Sequence, residues 1–118
     1  MKSIEQQIND ILEWLHSNKD NLDPIQCSEK LVNISVLKAS LDSEQADAEI
    51  KYNIVLNELI TTFPEMPFNK LQIRAKATQE YANLMRKKAV QGSILEVSRS
   101  IKRYQNALRD SSELTRNY

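Results

Sequence analysis

Apolar residues recur at intervals of three and four along nearly the whole chain, the spacing that lines one face of an α-helix. Ile4, Ile8, Ile11, Leu12 and Leu15 form the first such stripe. Ser3-Ile4-Glu5-Gln6 has the S-x-x-Q spacing in which the serine oxygen and the glutamine side chain satisfy free amides of a first turn. The stripe fades near Ser17, where SNKDNLD supplies turn formers, so a helix is predicted over 3–17. Asp23-Pro24 opens a second helix, with Asp as N-cap, Pro in the first helical position and Gln26 completing a D-x-x-Q box. Cys27, Leu31, Ile34, Leu41, Ala48, Tyr52, Val55 and Leu59 carry its stripe. No Gly or Pro lies between Pro24 and Pro64, so one helix over 24–62 is predicted, on the order of 57 Å long. Asp42-Ser43-Glu44-Gln45 has the pattern of another capping box and leaves a break near 40–43 open. Pro64 and Pro67 in TTFPEMPFN stop the helix.

Asn69-Lys70-Leu71-Gln72 begins a third helix, predicted over 69–115. Its stripe is read as Leu71, Ala75, Thr78, Ala82, Met85 and Ala89, then Val97, Ile101, Tyr104 and Leu108. That progression follows an 11-residue repeat better than a seven, which predicts nearly straight or slightly right-handed packing. Gly92 interrupts it and reads as a kink or a close helix contact rather than a functional hinge.

Two long helices joined by a short loop bury their stripes by folding back on each other. The expected fold is all-α: a short N-terminal helix plus a long antiparallel helical hairpin, an elongated three-helix bundle forming a single helical domain over 1–118. Ala75, Ala77, Ala82 and Ala89 would let helices approach closely. The first helix is too short to cover both long stripes, and leftover apolar surface usually means self-association or a partner. A homo-oligomer is therefore expected, with Leu31, Ile34, Tyr52, Val55, Met85 and Ile101 as core or oligomer contacts.

Composition agrees with this reading. One Gly and three Pro in 118 residues leave few places to turn, and 41% hydrophobic with 27% charged residues suits a soluble protein. No run of about 18 apolar residues exists, so no membrane span is expected. The amphipathic MKSIEQQINDILEWLHS does not read as a signal peptide, and cytoplasmic residence is the expectation. Cys27 is alone and reads as a small buried hydrophobe on a helix.

Net charge is zero but unevenly spread. Residues 1–68 hold 5 Lys/Arg against 12 Asp/Glu, and residues 69–118 hold 11 against 4. The simplest reading is that the acidic and basic halves lie against each other.

Chemistry is sparse. Glu13-Trp14-Leu15-His16 has the E-x-x-H spacing of a helical metal site, but di-iron bundles use that motif twice and this chain has one histidine. His16 reads instead as a residue near a helix C-terminus, where a cation meets the dipole favourably. Asp42, Glu44, Asp47 and Glu49 lack the glycine turn of a calcium loop. No Gly-rich phosphate loop, cysteine pair or nucleophile elbow is present, so no enzyme activity, cofactor or metal is expected. Trp14 reads as the edge of the apolar face, and Phe63, Met66 and Phe68 as a cap over the hairpin end or a docking knob.

The most suggestive segment is RSIKRYQNALR, residues 99–109. Arg99, Lys102, Arg103 and Arg109 fall within about 120° on a helical wheel, opposite Val97, Ile101, Tyr104 and Leu108. Arg116 continues that face loosely, and Arg86, Lys87 and Lys88 form an earlier cluster spread around the helix. A row of accessible cations is what phosphate contact requires, so nucleic-acid binding is the second functional expectation. Tyr81 and Tyr104 are candidates for base stacking, although Tyr104 falls on the apolar stripe.

ADAEIKYNIVLNEL (46–59), RAKATQEYANLMRKKA (74–89) and SRSIKRYQNALRDSSEL (98–114) together resemble small all-helical accessory proteins of tailed bacteriophages. The shared pattern is A-x-A-E-x-x-Y before a loop and a later basic helix; the first 35 residues lie outside it. Most of those proteins lack an assigned activity, so the resemblance implies context and no site residues: a phage or prophage product in the bacterial or phage-infected cell. The first functional expectation is thus a non-enzymatic, self-associating helical protein. It would bind a protein partner, as a phage accessory or host-modulating factor.

Overall fold

A computed structural model describes residues 2–116, with side-chain surroundings through Asp110. The protein is all-helical: α1 (Ile4–Asn18), α2 (Pro24–Thr62), α3 (Phe68–Lys76) and α4 (Gln79–Arg116), with no strand among the described residues. No helix among them is long and apolar enough to cross a membrane.

The capping box read at Ser3 and Gln6 forms at α1, and Asp23 caps α2 through the Ile25 amide rather than through Gln26. Ser3 Oγ accepts the Gln6 amide at 3.2 Å while the Gln6 side chain accepts the Ser3 amide at 2.9 Å. The Asp23 carboxylate accepts the Ile25 amide at 3.0 Å, and the Asp23 carbonyl accepts the Cys27 amide at 2.9 Å. The helix then runs unbroken through 40–43. Asp42 and Glu44 do not turn back to cap: Asp42 accepts from the Gln91 amide group and Glu44 pairs with Lys87 at 2.8 Å, both on α4. Gln45 donates to Glu49 one turn on. Carboxylates engaged by a neighbouring helix leave the backbone its own hydrogen bonds.

Where one helix over 69–115 is predicted, the chain makes two. The break falls at Ala77-Thr78, without Gly or Pro. Thr78 Oγ1 accepts the Tyr81 amide at 3.3 Å and donates to the Ala75 carbonyl at 2.6 Å, so it caps α4 and ties off α3. Glu80 adds an acid to the first turn of α4, where the helix dipole favours it. Thr78 is thus a cap and not a member of an apolar stripe.

Two compact units divide the chain: Met1–Ala39 with Gly92–Tyr118, and Ser40–Gln91. In the first, the buried side chains are Ile8, Ile11 and Leu15 of α1, Cys27, Ile34 and Leu37 of α2, and Ile94, Val97 and Ile101 of α4. In the second they are Leu41 and Ala48 of α2, Leu71 and Ala75 of α3, and Leu84 of α4. There the α2–α4 contacts Asp42–Gln91, Glu44–Lys87 and Tyr52–Tyr81 advance along one helix while receding along the other, so the two segments run antiparallel.

The period of burial on α4 differs from the expected one. Leu84, Lys87, Gln91, Ile94, Ser98, Ile101, Gln105 and Leu108 are all buried or half-buried, and their steps alternate three and four. That is a seven-residue period, and the 11-residue reading is overturned. Half of these positions are polar, so a search for apolar residues passes over them. Lys87, Gln91 and Gln105 each reach an α2 side chain: Glu44, Asp42 and Ser28. Consequently Ala82 and Ala89 are exposed, as is Ala77, and of the four alanines expected to admit a close helix only Ala75 is buried. Gly92 sits inside α4 with no heavy atom within 4 Å of where a Cβ would stand and no positive φ, so it marks neither a close contact nor a break.

Candidate interaction surfaces

α4 carries the basic residues singled out in the sequence, and in the first unit it presents Arg99, Lys102, Arg103 and Arg109 to solvent. No salt bridge joins any of the four to an acid among the described residues; Arg109 meets the Asn106 side chain at 3.2 Å. Among the described residues the acidic half supplies no ion pair to these four. The expected neutralisation operates in the second unit, where Lys87 is half-buried against Glu44 while Arg86 and Lys88 stay exposed. The 86–88 cluster is split between packing and solvent. Glu96 and Asp110, also exposed, stand seven residues to either side of Arg103; seven residues drift only about 20° around a helix, so acids bracket the basic stretch. Arg116 lies outside the described side chains.

The two tyrosines named for base stacking differ in their surroundings. Tyr104 is 36% exposed and not part of the dry side, which is made by Ile94, Val97 and Ile101 with Leu108 half-buried. Tyr81 is half-buried with its ring 5.4 Å from that of Tyr52. Tyr81 is thereby engaged in the packing of its own unit.

Of the expected core or oligomer contacts, Ile34 and Ile101 are buried, and Leu31, Tyr52, Val55 and Met85 are half-buried. Leu84 and Ile94, absent from the expected stripe, are the buried α4 residues beside Met85 and Leu95.

The apolar surface left outside the cores lies mainly on α2 and around its C-terminal loop. In the first unit Ile25, Val32 and Val36 are 69%, 63% and 62% exposed. In the second unit Ile50 and Ile54 are exposed on α2, and Phe68 and Ile73 on α3. Phe63 is at the border of exposure with the Arg74 guanidinium 4.7 Å over its ring, and Met66 is half-buried. Phe63 and Phe68 therefore do not form the closed cap one sequence reading offered. The α2 valines and isoleucines stand outside the predicted stripe because one apolar face is enough to account for a helix. Apolar residues two positions out of phase with Cys27 and Ile34 were the available signal.

The remaining candidates have structural surroundings. Cys27 is fully buried; burial pushes its thiol pKa up and the Asp23 carboxylate adds to the rise. A thiol held protonated is a poor nucleophile. Trp14 is half-buried with the Lys30 ammonium 5.4 Å from its ring centroid, and its carbonyl accepts from Asn18. Among the described residues no three His, Cys, Asp or Glu side chains come together as a metal cage, Glu13 and His16 included. Lys2 bonds Asp10 across α1, which raises the lysine pKa chiefly through that hydrogen bond.

Comparison with family models, curated proteins and solved structures yields no match, so no activity is carried over from a relative.

Proposed function

We propose that this chain is a non-enzymatic helical protein that works by binding protein, and that it self-associates. The observation carrying this reading is the trio Ile25, Val32 and Val36, each more than three-fifths exposed on one helix face. Single exposed apolar residues are ordinary, but a run of them on one face has the character of an interaction site. The finer architecture proposed is a short N-terminal helix against a long antiparallel hairpin, in an elongated three-helix bundle. Its hairpin helices pack as a coiled coil, an assignment supported by the seven-residue burial period of α4. The likeness of residues 46–59, 74–89 and 98–114 to phage accessory proteins supports a cytoplasmic role in a phage-infected or prophage-bearing cell, acting on a host or phage protein. Light scattering coupled to size-exclusion chromatography, from micromolar to millimolar chain, tests the self-association. A mass of 13.6 kDa at every concentration refutes it.

A second reading is favoured by one observation of its own. Arg99, Lys102, Arg103 and Arg109 are exposed on one face and form no salt bridge among the described residues, which is the arrangement phosphate contact needs. On this reading the chain binds nucleic acid through that face, with Arg86 and Lys88 assisting. Oligonucleotide affinity should then fall steeply with salt, and Arg99→Glu/Arg103→Glu should abolish it. No binding at 50 mM salt removes this reading and leaves the first untouched.

A further inference from the structure

α2 carries two apolar stripes, and among the described residues the second is left exposed, with Val36 bordering a groove beside α1. Ile25, Val32, Val36 and Ala39 are all exposed, and their steps of seven, four and three place them within about 60° of one another. The buried Cys27 and Ile34 lie about 180° away. Steps that sum to seven are the spacing by which one helix seats against another. This stripe is also nearly free of charge. On α2 itself Gln26, Asn33 and Ser40 flank it on one side, Ser28 and Ser35 on the other, and Glu29 is the one charge; beside Val36 a groove brings in Lys30 and the paired Lys2 and Asp10, so the signs balance.

We propose that this face is the docking site for a second copy of the chain, which presents the same face across a two-fold axis with the two α2 helices antiparallel. The inference rests on the self-association reading and names its surface.

Charge decides the occupant and the direction. A symmetric contact brings each residue of a face near its own copy's face, so a face rich in one sign repels itself. The outward face of α4 holds Arg99, Lys102, Arg103 and Arg109. The middle of α2 exposes Asp42, Asp47 and Glu49, and the loop-end surface around Phe68 and Ile73 is set among Lys70, Arg74 and Lys76. Each of these carries an excess of one sign that self-contact would set against itself; beside the 25–39 face Glu29 and Asp10 balance Lys2 and Lys30. In a parallel pair Glu29 would still meet its copy. In the antiparallel register that sets Val32 against Val36, Glu29 opposes Ala39, and the two Glu29 are ten residues apart along the axis, about 15 Å. That separation exceeds the screening length of about 10 Å at 0.1 M salt.

The test compares the full chain with Val32→Glu/Val36→Glu and with the milder Val32→Ser/Val36→Ser, by sedimentation velocity over 1 µM to 1 mM. Both sites are exposed, so circular dichroism should show unchanged helicity. The wild type is expected to dimerise with rising concentration. The Glu variant should stay monomeric, and the Ser variant should dissociate about tenfold more readily, as loss of central apolar contacts does. Arg99→Glu/Arg103→Glu should dimerise like the wild type. A wild type that stays monomeric overturns the self-association reading and this proposal with it. A wild-type dimer unaffected by both valine variants overturns this surface alone, as does a wild-type trimer.

Discussion

Ile94 and Leu95 are isomeric side chains at adjacent positions of α4, one 2% exposed and the other 49%. Truncating each to alanine removes the same three carbons, so any difference in cost measures position and not chemistry. At roughly 0.8 kcal/mol per buried methylene, Ile94→Ala loses about 2.4 kcal/mol of transfer free energy. A residual cavity of up to ~75 Å³, at about 24 cal/mol per Å³, raises the total to about 2.5–4 kcal/mol. Leu95 keeps half its surface in water and leaves no enclosed void, so Leu95→Ala should cost about 1 kcal/mol or less. Urea unfolding followed by helical circular dichroism, at one fixed chain concentration because self-association would add to stability, reads this directly. With a urea dependence of about 2 kcal/mol per molar, the midpoint should fall by roughly 1.2–2 M for Ile94→Ala and by less than about 0.5 M for Leu95→Ala. Equal shifts, or an Ile94→Ala midpoint within about 0.5 M of wild type, would refute the seven-residue seam on α4.

Gly92→Ala should stabilise by about 0.5–1 kcal/mol, since the added methyl meets nothing within 4 Å and the helix gains from a less flexible unfolded chain; a destabilised variant in the same urea assay would show that a neighbour does pack there. Thr78→Ala should cost about 1 kcal/mol by removing the α4 cap, whereas a neutral result would mean that α3 and α4 are one helix as the stripe suggests. Cys27 should resist a disulfide reagent at pH 8 in the folded protein and react at once in urea. Because its folded pKa is raised, the native state retains the proton longer than the unfolded state. Its contribution is then fully present below the unfolded pKa near 9 and is lost as pH rises through the folded value. Stability that rises with pH above 9 would contradict the burial.

Helices with polar outer faces and clear caps were legible residue by residue. Ser3-x-x-Gln6 and Asp23-Pro24 named the starts of α1 and α2, and Pro64 named the end of α2 to within two residues. Those signals are local: an amide and the side chain that satisfies it lie three residues apart. The same logic misled at Asp42-Ser43-Glu44-Gln45, because the Asp42 carboxylate that could cap accepts from Gln91 instead, a partner that sequence distance conceals. Thr78, read as a stripe position, is a cap instead because its hydroxyl joins Ala75 to Tyr81.

Composition, cap chemistry and the three-and-four recurrence by themselves determined that this chain is helical, where α1 and α2 begin, and that Ile34 and Ile101 belong to contact faces. Only tertiary structure decided which residues complete each seam, because Lys87, Gln91 and Gln105 gain their places through side chains of α2 far along the chain. The same holds for the two outward faces. Whether four cations on α4 are neutralised, and whether Ile25, Val32 and Val36 are covered, depends on which helix lies opposite each. A residue's own neighbours in sequence carry no record of that choice, since helical periodicity specifies a face but not what it meets.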